Sequence, residues 1–239
     1  MRLLVSVVSA EEARLALGGG ADIVDVKDPR EGALGAPAPS VLSEVVRAVD
    51  GAVPVSVALG DLPDLPHTAS LAARGAVVCG ASFVKVGLRG VRSLDRAAAV
   101  MGAVADAVGD EAAVIAVAYA DAATLDPPAL APGLLAALVE RTGIAGALVD
   151  TFVKDGRGLY GWLSESELAA LVDRTRRAGG LFAVAGQLRL GELHRVDADV
   201  VGVRSAVCRG GERTAYLEEG LVAAAAAELR TLALRLRIW

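Results

Sequence analysis

Short aliphatic runs return about every 30 residues through most of this 239-residue chain, and that recurrence constrains the fold more than any other feature. The candidate strands are Leu3–Val8, Ile23–Lys27, Val53–Leu59, Phe83–Leu88, Ala113–Tyr119, Ala147–Thr151, Leu181–Ala185 and Val200–Arg204. Between them lie segments of helical period: Glu11–Leu17, Ser40–Val49, Thr68–Gly75, Ser93–Val108, Leu134–Thr142, Ser164–Ala178 and Leu217–Leu236. A repeat of about 30 residues is the length of one strand–helix unit. Near-continuous Val, Ile and Leu in the strands fits a parallel sheet covered on both faces. Eight units without a linker or a break in composition predict an α/β fold, a single (β/α)8 TIM barrel over residues 1–239. An open flavodoxin-like sheet would use about five units and leave three unplaced.

Local signals agree with this phasing. Ser164 and Glu167 form a capping-box pattern, Ser93 with Asp95 marks another helix start, and Gly179-Gly180 closes the sixth helix. Apolar residues at 54% allow a large aliphatic core and exclude a disordered chain. The net charge of −5 and the 3% aromatic content argue against nucleic-acid binding and against an anionic membrane surface. No uncharged apolar run approaches the roughly 18–20 residues of a membrane span. Leu3–Val8 runs straight into Glu11-Glu12, so it reads as a first strand rather than a signal segment, and a cytoplasmic protein is expected. Cys79 and Cys208 lack metal-ligand spacing and read as small buried hydrophobes. His67 reads as a loop residue, and His194 as a structural residue in a short helix before strand eight. Alanine-rich exposed faces and the mean hydropathy of +0.50 lead us to expect a homo-oligomer.

The lysines carry the chemistry. Of 24 basic residues only three are lysines, Lys27, Lys85 and Lys154, and they fall at or just beyond the ends of strands two, four and six. Active sites of such barrels lie at that end. Arginine stays protonated, whereas a buried lysine can lose its proton and form a Schiff base. Asp25 and Lys27 are two apart on a strand and share a face. Asp150 and Lys154 echo that pair across the end of strand six. Neighbouring ammonium groups would lower the pKa of one lysine, freeing it as nucleophile or base, while the aspartates keep the others charged.

Phosphate is the second expectation. Gly186-Gln187 after strand seven and Arg204-Ser205 after strand eight stand where barrels often bind phosphate, with Arg204 offering a bidentate contact. Asp61 after strand three and Asp121 after strand five are further candidates for substrate contact.

Longer motifs point to a family. Ala21–Pro29 (Ala-Asp-Ile-Val-Asp-Val-Lys-Asp-Pro), Gly32–Gly35, Phe83–Leu88, Ala118–Asp121, Leu148–Thr151, Val153–Gly156, and Asp199–Arg204 running on to Ala206–Cys208 resemble the (5-formylfuran-3-yl)methyl phosphate synthase family. The resemblance implies a barrel enzyme that condenses two glyceraldehyde 3-phosphate molecules to 4-(hydroxymethyl)-2-furancarboxaldehyde phosphate, losing one phosphate and two waters. It implies a place in the biosynthesis of methanofuran-type carriers, with a phosphorylated triose as the small-molecule partner. It also implies Lys27 as the Schiff-base lysine, with Lys85, Asp150 and Lys154 as acid–base partners; the strand alternation given above adds Asp25 as a catalytic candidate beside Lys27. The iminium then serves as electron sink, so neither metal nor cofactor is expected. Three other readings stand beside it: a class I aldolase on another sugar phosphate, a barrel that binds a sugar phosphate without turnover, and a phosphate-binding isomerase or synthase of the thiamine-phosphate type.

Overall fold

The computed structural model describes residues 1–195 and 197–236. The eight strands are β1 (Arg2–Val7), β2 (Ile23–Val26), β3 (Val55–Asp61), β4 (Phe83–Gly87), β5 (Ala113–Tyr119), β6 (Gly146–Asp150), β7 (Leu181–Val184) and β8 (Val200–Val203). They pair in parallel in chain order, and β8 closes on β1 through Arg2↔Val200 and Leu4↔Gly202, which makes the expected (β/α)8 barrel. Around it run α1 (Ala10–Gly18), α2 (Pro39–Val49), α3 (Pro66–Val78), α4 (Leu94–Val108), α5 (Leu135–Thr142), α6 (Glu165–Arg177) and α7 (Glu219–Leu236).

Caps fall where the sequence places them. Ser164 and Glu167 close a full capping box on α6, and Ser93 Oγ accepts the Arg96 N–H at the start of α4. The short helix expected around His194 is not found among the described residues. Residues 190–194 form consecutive turns between β7 and β8, held by Glu228 of α7, whose carboxylate accepts the Gly191 and Leu193 N–H groups and contacts His194 Nδ1. A side chain from a distant helix satisfies these N–H groups, so no local helix is needed to do so.

Strand alternation divides the apolar residues into two layers. Val5, Val24, Val57, Val84, Val149 and Val201 face outward into the layer beneath the helices. Leu4, Ile23, Ala58, Ile115, Leu148, Ala183 and Val200 face inward and fill the lower barrel. The polar residues on inward positions therefore sit on an aliphatic floor. That floor removes water from one side of every charge above it.

Candidate active site

The interior charges collect where the strands end. A pocket opens there, and its wall includes Asp25, Lys27, Lys85, Asp150 and Lys154. Asp25, Lys27 and Lys85 are almost fully buried. Alternation along β2 thus delivers Asp25 and Lys27 to one face, as their spacing predicts.

The three lysines differ in company. Lys85 Nζ lies 2.7 Å from Asp25 Oδ1, a close charge contact without hydrogen-bond alignment, while Ser6 Oγ donates to Asp25 Oδ2 at 2.9 Å. Lys154 Nζ donates to Asp150 Oδ1 at 2.8 Å and also to the carbonyl and Oγ1 of Thr151. Lys27 makes no ion pair among the described residues. Burial pushes its amine down, Asp150 and Asp25 pull it back up, and Lys154 and Lys85 push it down again, leaving it at about 8. Burial alone would raise the Asp150 carboxyl, but Lys154, Lys27 and the Thr151 N–H bring it below the usual carboxylate range. The site therefore holds two lysines paired to aspartates and one unpaired amine whose pKa is lowered to about 8.

The expected phosphate loops adjoin this cavity. Gly186, Gln187 and Ser205 line it, and a second, more open cavity continues from Lys154, Gln187, Ser205 and Arg213. Gly186 has φ +111°, and a Cβ there would meet the Thr151 N at 2.9 Å, so only glycine lets the loop after β7 lie this close to the loop after β6. Gln187 holds φ +50°, and its buried Oε1 has no protein partner.

Three expected substrate contacts are engaged with the protein itself. Arg204 lines the cavity, but its guanidinium forms a bidentate pair with Glu12 of α1 and donates to the carbonyls of Ser6, Arg213 and Ala215. Those bonds use all five of its N–H groups. Asp61 does not line the lysine cavity; it accepts the Tyr119 hydroxyl at 2.7 Å and the Arg89 N–H. Burial raises the Asp61 carboxyl, and burial with the nearby Asp61 charge keeps the Tyr119 phenol protonated. Asp121 is also outside the cavity wall, with both oxygens accepting peptide N–H groups of Phe152 and Val153.

Arg213 is a wall residue that the sequence does not single out. It lines both cavities, is half-buried, and has one N–H committed to the Gly32 carbonyl. Its place just past Gly210-Gly211 is the one local signal for it in the sequence, and Arg204 stands nearer the strand end.

Among solved structures the chain is similar to KGPDC from Streptococcus mutans, at TM-score 0.63 and 14% identity, covering 96% of this chain and 97% of that one. It is likewise similar to thiamine phosphate pyrophosphorylase from Pyrococcus furiosus, at TM-score 0.64 and 14% identity, covering 96% and 95%. These likenesses speak to the fold alone. Sequence relatives are much nearer. The (5-formylfuran-3-yl)methyl phosphate synthase of Methanosarcina barkeri is 39% identical over 95% of this chain and 99% of its own length. That of Methanothermobacter thermautotrophicus is 44% identical over 89% and 92%. A family model described as 4-HFC-P synthase matches residues 3–226, a span that takes in every residue of the lysine cavity, and the chain belongs to that family of enzymes.

Proposed function

We propose that the protein condenses two molecules of glyceraldehyde 3-phosphate into (5-formylfuran-3-yl)methyl phosphate through an iminium on Lys27, releasing one phosphate and two waters. The product is a step toward a methanofuran-type carrier. The observation that carries this reading is the contrast among the three lysines: two are paired to aspartates, and Lys27 has no ion pair among the described residues.

Neutral Lys27 adds to the carbonyl of one triose phosphate, and loss of water leaves the iminium. The iminium draws electrons from the adjacent carbon, so a proton there becomes acidic. Asp150 with Lys154, and Asp25 with Lys85, flank the amine and are the groups available to move that proton. The enamine expels phosphate from its third carbon, and that carbon, left as the nucleophilic end of an enol, attacks the carbonyl of the second triose in its ketone form. Ring closure and loss of two waters give the aromatic furan, whose stability draws the sequence forward, and the water lost in forming the iminium is returned when hydrolysis frees the aldehyde and Lys27. Arg213, with the backbone of Gly186-Gln187 and Ser205, supplies positive charge and N–H donors to the phosphates.

Incubation with glyceraldehyde 3-phosphate alone, followed by mass spectrometry, tests this. The expected product has the mass of two substrates less one phosphoric acid and two waters, with free phosphate rising in step. Survival or mere rearrangement of the substrate would sink the proposal, and a product that keeps both phosphates would favour an aldolase. The pH profile is a second check. Only the neutral amine attacks, so kcat/KM should climb through an apparent pKa of about 8 and level off above it. A flat profile between about pH 7 and 9 would show that proton release from Lys27 does not govern the reaction.

A further inference from the structure

Asp121 is 1% exposed, yet it faces neither the lysine cavity nor, among the described residues, a cation within ion-pair distance. A carboxylate buried this way is costly unless its oxygens are well satisfied. They are: Phe152 N–H reaches Oδ1 at 2.9 Å and Val153 N–H reaches Oδ2 at 2.7 Å. Charge-assisted bonds of this kind are stronger than neutral ones, and two in succession hold a peptide segment in one orientation.

The segment they hold is the short bridge between Asp150 and Lys154. The chain leaves β6 at Asp150 and passes through Thr151, Phe152 and Val153. Lys154 then turns back so that Nζ meets Asp150 and the Thr151 carbonyl. The Phe152 ring is held as well, edge-on to Tyr119 at 5.3 Å and beneath the Arg89 guanidinium at 4.5 Å. Val153 has an exposed side chain, so on the protein side its N–H bond to Asp121 is what ties it down.

We propose that Asp121 is a positioning residue: its carboxylate fixes the peptide N–H groups of Phe152 and Val153, and through them keeps Lys154 Nζ against Asp150. This rests on the proposed function, in which Lys27 is the reacting amine and Lys154 a charge beside it. The groups that act on Lys27 are Asp25 of β2, Lys85 of β4, and Asp150 and Lys154 at the end of β6, with Cys208 beyond β8. Release of the bridge would withdraw the Lys154 charge from Lys27 and leave Asp150 unpaired. Both changes make Lys27 hold its proton more tightly.

The test is competitive labelling with acetic anhydride across pH, on the full chain without substrate. With only three lysines, peptide masses assign each site. Asp121→Asn should move the Lys27 midpoint upward by about half a pH unit or more and increase labelling of Lys154. Lys154→Met should give a similar shift of the Lys27 midpoint, and adding Asp121→Asn to it should give no further shift. With substrate, kcat should fall roughly tenfold while KM changes less than about twofold. Asp121→Glu, which keeps the charge but displaces the oxygens, should shift in the same direction and serves if the asparagine variant does not fold. A lowered melting temperature with an unmoved Lys27 midpoint would overturn the proposal and leave Asp121 a purely structural residue. Because labelling needs no turnover, it judges Asp121 even if glyceraldehyde 3-phosphate proves not to be the substrate.

Discussion

Replacing Lys27 with arginine is expected to slow furan formation by roughly 10⁴-fold or more, the scale on which removal of a covalent nucleophile acts. Arginine keeps a positive charge at the cavity wall, so attraction for a phosphorylated substrate persists while amine chemistry is lost. Borohydride reduction during turnover separates the two effects. Wild-type protein should gain a stable adduct on the peptide that contains Lys27, and Lys27→Arg should gain none. A variant that retains activity within about tenfold of wild type would remove Lys27 from the covalent step.

The same residue makes a statement about stability. The Lys27 amine has an ordinary value of 10.5 and stands at about 8 in the folded protein. Below pH 8 both the folded and unfolded chains carry the proton, and the folded chain bears the cost of a buried ammonium. Between 8 and 10.5 the unfolded chain binds more proton, so stability rises with pH across that window and is level above it. Lys27→Met removes the charge and keeps much of the volume. At pH 7 it should stabilise the fold by up to about 3 kcal/mol, a rise in Tm of roughly 5–10 °C, with activity abolished. Calorimetry at pH 7 and pH 10 checks it, since the advantage of the variant should shrink at the higher pH.

Glu12→Ala should carry the largest loss of stability. Glu12 and Arg204 are both buried, and their carboxylate–guanidinium pair joins the first turn of α1 to the end of β8. Glu12 Oε2 also accepts the Val8 N–H at 2.9 Å, so removal strands a peptide donor as well as a guanidinium. Breaking a buried pair from one side costs about 3–5 kcal/mol, whereas replacing both members with apolar residues is far milder. The double variant Glu12→Leu/Arg204→Met should therefore recover much of what Glu12→Ala loses in urea denaturation. A single-variant loss below about 1 kcal/mol would show that Arg204 finds water or another partner once Glu12 is gone.

Legibility followed the range of the interaction. The period of about 30 residues, the two-residue spacing of Asp25 and Lys27, and the Ser164–Glu167 cap are all local, and each reappears in the structure. Where a side chain is engaged otherwise than expected, its partner is distant in the chain. Arg204 stands at a strand end where a phosphate contact is expected, but its carboxylate partner lies 192 residues away. Asp61 and Asp121 also stand at strand ends, and they turn instead to Tyr119 and to the bridge after β6. His194 lost its helix to Glu228, a residue of the last helix.

The lysines draw the boundary most clearly. Their scarcity and their placement at the ends of alternate strands are properties of the sequence alone, because strand period and chain position decide which residues reach the barrel mouth. Which lysine stays unpaired is a property of closure. Register across β2, β3 and β4 brings Lys85 to Asp25, and the bridge after β6 folds Lys154 back on Asp150. Lys27 is left with neighbours of both signs and an ion pair with none among the described residues. Proton affinity depends on distances and solvent exclusion summed over residues from several strands, and those quantities exist only once the barrel has closed.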